Sequence, residues 1–206
     1  MSAFEFFFSF YGLLLGLSVA ELVGGFSRVL HERHRVRFGW LTPLLALFVA
    51  LDVATFWSQA WIIFRGAPFN LALLSIGLAV AATFYVAASI TFPRVTAEGV
   101  ADRIDLDAHF WANRRMIFAC ILAANLIIAL LVIGLMQLDA GFAALSSPRL
   151  WTGLAIFTLG TATAAFASSR PVTIGALILL VGYSLFNVGR SATALISAGG
   201  WSTPVA

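Results

Sequence analysis

The run Tyr11-Gly-Leu-Leu-Leu-Gly-Leu-Ser-Val-Ala-Glu-Leu-Val-Gly-Gly-Phe-Ser-Arg28 is almost wholly apolar and shows no strict alternation. Extended on its N-terminal side by the phenylalanine-rich segment from Phe4, it is long enough to cross about 30 Å of hydrocarbon as a helix, and too long for a transmembrane strand. On that helix Gly12, Gly16, Ala20 and Gly24 recur every four residues, a spacing that predicts a ridge of small residues where a second helix can approach closely. Glu21 stands beside the ridge. A carboxylate inside a span costs several kcal/mol unless it is protonated, paired or hydrated, so it marks a candidate functional position.

The rest of the chain has the same character. Hydrophobic residues make up 61% of its 206 positions and charged residues 10%, well below the roughly 25% of a soluble domain. The composition therefore predicts an all-α, polytopic integral membrane protein: six transmembrane helices in one bundle with short loops, forming a single domain over 1–206. All twelve positive charges are arginine, and the net charge is +3. Such arginine and alanine usage suggests a GC-rich bacterial genome, hence an inner (plasma) membrane. The N-terminus lacks a positive region before its apolar run, so we expect the first span to be retained. The single cysteine, Cys120, lies in an apolar run and excludes an intramolecular disulfide framework.

The expected spans are 4–30, 38–64, 71–92, 116–136, 150–168 and 172–190, with a polar cytoplasmic loop at 94–115 that holds a short surface helix near Ala101 to Trp111. The fifth span, weakly apolar and rich in threonine, glycine and alanine, reads as an interior helix. Nine arginines (28, 33, 35, 37, 94, 103, 114, 115, 170) fall on one side of this arrangement and three (65, 149, 190) on the other. The positive-inside rule then puts both termini on the non-cytoplasmic side.

Intramembrane polar residues are the candidates for chemistry. At ~1.5 Å of rise per residue, Glu21 comes out ~13 Å from the inner end of its helix, Asn125 ~14 Å, Tyr183 ~17 Å and Asp52 ~21 Å, within one central layer. An ion or proton pathway through Glu21, Asp52, Asn125 and Tyr183 would have the composition of a relay. Hydrogen bonding between helices is the competing role for each. Arg28 lies seven residues beyond Glu21, which suggests an anchor at the membrane edge rather than a direct partner. At the basic end, Arg33, Arg35, Arg37, Arg114 and Arg115 are candidates for lipid headgroups. His31, His34 and His109 are weak metal candidates, because their spacing matches no recognised zinc pattern; no metal site is expected.

Other chemistries lack their residues. Haem ligation within spans needs histidines there, a retinal needs a lysine, and the chain has neither. No phosphate-binding glycine loop and no Gly-x-Ser-x-Gly nucleophile motif occurs, and no cofactor is expected. The expectation is a proton- or cation-linked transporter or channel that uses intramembrane carboxylates. The alternative is a non-catalytic membrane subunit or scaffold, with an intramembrane enzyme third. Expected partners are the lipid bilayer and either further copies of the chain, as a homo-oligomer, or another membrane protein; no nucleic acid is expected.

Overall fold

The computed structural model describes residues 3–64, 70–94, 104–138, 140–143 and 146–197. Arg65, Arg103, Trp201, Asp139 and the segment where a surface helix was expected to begin, at Ala101, lie outside the described residues. The chain is all-α, with six long helices: α1 (Ala3–His31), α2 (Leu41–Phe64), α3 (Leu71–Thr91), α4 (Leu106–Leu138), α6 (Pro148–Phe166) and α7 (Arg170–Ser197). A single turn, α5 (Ala140–Ala143), and two short strands, β1 (Val36–Arg37) and β2 (Ile104–Asp105), accompany them among the described residues. Five of the long helices are long and apolar enough to cross a membrane, and α6 is the exception. It is not enclosed either: Leu159 and Phe166 expose 67% and 65% of their surface, so α6 presents one apolar face outward.

Helix ends follow from local chemistry. Asn70 caps α3 by accepting the Leu73 N–H at 2.8 Å. Ser147 does the same for α6 through Leu150, with Pro148 at the first helical position, where its missing N–H costs nothing. The fourth helix starts ten residues earlier than its apolar run suggests. The Asp105 carboxylate accepts the N–H groups of Asp107 and Ala108 at 2.9 and 3.1 Å, and Leu106 and Phe110 are fully buried. The segment expected to lie on the membrane surface is, from Leu106 onward, the packed first turns of α4. Likewise α7 continues to Ser197 rather than ending at Arg190.

The connection between α1 and α2 is tied to the one between α3 and α4. Strand β1 pairs in parallel with β2, Val36 opposite Ile104 and Arg37 opposite Asp105, and the Ile104 N–H donates to Arg35 O at 3.0 Å. Asp107 accepts the Leu41 N–H at 3.1 Å and so caps α2 from another segment, while Thr42 Oγ1 donates to Leu106 O at 2.6 Å. Gly39 is required there, because a Cβ at that position would occupy the space of the Asp107 carboxylate.

The helices close a ring in the order α1, α3, α4, α6, α7, α2, with α2 also touching α3 and α4. Two apolar clusters fill it. One, at the arginine-rich end, includes Val29, Leu41, Leu45, Phe48, Phe92, Phe110 and Phe118; the other, toward the opposite end, includes Tyr11, Leu15, Phe56, Phe84, Ala124 and Ile128.

Candidate functional site

The boundary between the two clusters is polar. On α1, Ser18 stands between Leu15 of one cluster and Leu22 of the other; on α2, Asp52 stands between Val53 and Val49; on α4, Asn125 stands between Ile128 and Ile121. All three are buried, with exposures of 0%, 4% and 9%. Ser18 Oγ, Asp52 Oδ2 and Asn125 Nδ2 have no hydrogen-bond partner among the described residues. Each sits on the inward stripe of its helix, since α1 buries Tyr11, Leu15, Ser18, Leu22, Gly25 and Val29, spaced by three and four.

Aromatic contacts fix the axial register of these helices. In the antiparallel pair α1 and α2, Tyr11 lies against Phe56 with ring centroids 5.4 Å apart, Phe8 against Trp61 at 4.9 Å, and Gly12 against the Trp57 indole. Running from Gly12 to Ser18 covers about 9 Å of axis, and from Trp57 back to Asp52 about 7.5 Å, which brings Ser18 and Asp52 to one level. Helices α2 and α4 run in the same direction, with Phe48 and Phe118 centroids 5.9 Å apart. From there Asp52 is about 6 Å further on and Asn125 about 10.5 Å, within one helical turn of each other.

The other two residues of the expected pathway sit elsewhere. Glu21 lies to one side of the α1 stripe, and its Oε2 is 3.7 Å from Arg28 Nη2, with the two side chains 36% and 52% exposed. Arg28 is thus its direct partner, because two long side chains span the axial offset that backbone positions alone suggest. Tyr183 faces α6, its ring edge-on to Phe157 at 5.7 Å and its hydroxyl beside Gly153. Asn187 donates to Tyr183 O and Ser184 to Leu180 O, both within α7. Ser18 was missed in the sequence, where it looks like an ordinary small residue; its place on the three-and-four stripe was the available signal.

The small-residue ridge winds around α1. Gly12 packs on Trp57, Ala20 is exposed, Gly16 has nothing within 4 Å of where a Cβ would stand, and Gly24 meets only Arg28 of its own helix.

At the basic end, Arg35 approaches Glu32 at 4.0 Å and Arg37 approaches Asp105 at 3.5 Å, while Arg33 and Arg115 are exposed. Arg114 is buried at 6% exposure and turned inward: its guanidinium donates to the carbonyls of Ala164, Ala165 and Ala167 at the end of α6. His109 Nε2 is 3.0 Å from Ile90 O, Asn113 is 3.2 Å from His109 Nδ1, and His34 is 3.7 Å from Glu32. Among the described residues no three histidine, cysteine or acidic side chains gather closely enough to hold a metal.

Fold and composition together define an all-α integral membrane protein. Comparison with known proteins adds no relative: no protein-family model, no curated protein and no solved structure matches the chain.

Proposed function

We propose that the protein is a proton- or cation-linked transport protein in which Asp52 carries the charge. One observation carries this reading: the Asp52 carboxyl is buried between two apolar clusters, with one oxygen unpartnered among the described residues. Charging a carboxyl in such surroundings costs several kcal/mol unless water or a cation reaches it, so its ionisation is tied to the arrival of one of them. Ser18 and Asn125 supply an unpartnered hydroxyl and amide at the same depth. We place the protein in a bacterial inner membrane with both termini outside the cytoplasm. The gathering of Arg28, Arg33, Arg35, Arg37, Arg94, Arg115 and Arg170 at one end of the bundle, against Arg149 and Arg190 at the other, supports that orientation.

The test is proton and cation flux in liposomes carrying wild type, Asp52→Asn or Glu21→Gln, each checked for monodispersity by gel filtration. Loss of flux in folded Asp52→Asn, with flux retained in Glu21→Gln, is the expected result. Flux unchanged in Asp52→Asn sinks the proposal.

A second reading, a membrane subunit that meets another copy or another protein, is favoured by the outward face of α1. There Gly16 and Ala20 are uncovered, and the Glu21 and Arg28 pair, 36% and 52% exposed, lies on the flank of the same helix, an expensive arrangement against lipid.

A further inference from the structure

The turn between α6 and α7 is seated against the first turns of α4, and one indole organises the contact. Trp111 has the Arg114 guanidinium carbon 5.4 Å from its ring centroid and that of Arg170 5.2 Å from it. Arg115 follows Trp111 by four residues on α4, one turn along the same face. Two guanidinium groups therefore lie over a single tryptophan with a third, Arg115, borne one turn further along α4, and no carboxylate among the described residues lies within ion-pair distance of any of them. Their situations differ. Arg114 is buried and directs both terminal nitrogens to the carbonyls of Ala164, Ala165 and Ala167, so it is engaged inside the protein. Arg115 and Arg170 are exposed, and neither has an acidic partner among the described residues.

We infer that Arg170, held over Trp111, and Arg115, one turn along α4 from it, bind the phosphate of an anionic phospholipid headgroup in the leaflet at the arginine-rich end. The chemistry favours this occupant for three reasons. Guanidinium groups recognise phosphate with two parallel hydrogen bonds, which a carbonyl or a neutral headgroup does not match. A net-negative lipid relieves the mutual repulsion of clustered arginines, while a zwitterionic one brings its own positive charge. The indole gives the site an amphipathic floor of the kind that sits at the headgroup level, and the neighbouring apolar Met116 exposes 57% of its surface. Arg37 and Arg35, by contrast, have acidic neighbours that compete for the same phosphate.

The proposal does not depend on Asp52. It is tested by native mass spectrometry of the full chain released from nanodiscs of equal phosphatidylglycerol and phosphatidylcholine. Wild type should retain phosphatidylglycerol about tenfold over phosphatidylcholine, consistent with two arginines at a charged surface. The double variant Arg115→Gln, Arg170→Gln should fall to about twofold or less. Arg115→Lys, Arg170→Lys, which keeps the charge, should retain part of the preference, and Arg149→Gln at the opposite end should match wild type. Absence of preference in wild type, or its persistence in the double glutamine variant, overturns the assignment. So does complete displacement of the lipid by millimolar inorganic phosphate, which would make the site one for a free anion. Monodisperse elution of each variant separates loss of binding from loss of fold.

Discussion

Arg114 Nη2 donates to Ala167 O at 2.8 Å, so a cation borne by α4 caps the C-terminus of α6. Its Nη1 reaches Ala164 O and Ala165 O at 2.6 and 3.2 Å. The last carbonyls of a helix have no partners within it and carry the negative end of its dipole, and a buried guanidinium answers both deficits. Arg114→Gln should destabilise the folded protein by about 2–4 kcal/mol, since several buried acceptors lose their donors together. Arg114→Lys should recover part of that. Chemical unfolding in detergent, followed by circular dichroism, measures both, and an unchanged midpoint for Arg114→Gln contradicts the capping role.

Asp107 and Gly39 should behave as one unit. Asp107→Ala removes the cap on α2 and should cost about 1 kcal/mol. Gly39→Ala forces the Asp107 carboxylate away and should cost at least as much. Because both act on the same hydrogen bond to Leu41, the double variant should be clearly less destabilised than the two single effects added together. Additive costs in a double-mutant cycle would place the two residues in separate interactions.

Asp52 allows stability and function to be separated. Replacing a buried carboxyl with an unpartnered oxygen by an apolar side chain of similar size is often neutral or stabilising, by up to about 4 kcal/mol. Asp52→Leu should therefore unfold no earlier than wild type while losing flux in liposomes. If Asp52→Leu unfolds markedly earlier, the carboxyl is a structural hydrogen-bonding group and the transport reading loses its support.

The glycines of α1 divide by face. A Cβ on Gly25 would come 2.8 Å from the Phe92 ring, so Gly25→Leu should cost about 1–3 kcal/mol through overpacking. Gly16 has open space around it, and Gly16→Leu should leave the unfolding midpoint of the isolated chain unchanged. If copies associate through this face, cysteines at Ala20 should crosslink in native membranes while cysteines at the buried Leu15 should not. Crosslinking at Leu15 alone would point to a different packing of α1.

These contrasts show what the sequence carries. Long apolar runs are enough to announce helices, and the uneven arginines announce which ends lie together, because both depend on composition along the chain. The packing face of α1 was harder to read. A strict four-residue spacing overshoots the 3.6-residue turn by about 40° at each step, so the ridge from Gly12 to Gly24 turns away from the stripe that alternates threes and fours. Glu21 follows the ridge's flank outward, while Ser18 stays with the stripe. The start of α4 was hidden for another reason. Its first turns are polar by composition yet packed, held by caps whose donors and acceptors sit more than sixty residues apart, as between Leu41 and Asp107. The inward course of Arg114 belongs to the same class, decided by a helix end fifty residues further along the chain.

The short pairing of β1 with β2, with Asp107 and Thr42 bonded across the same junction, acts as a clasp. It joins the helices at the arginine-rich end at a point where only two connecting segments meet. Parting these two connections at that end means breaking the strand pairing and the bonds made by Asp107 and Thr42 together, so the first four long helices are tied at their arginine-rich end into a single plate rather than two independent hairpins.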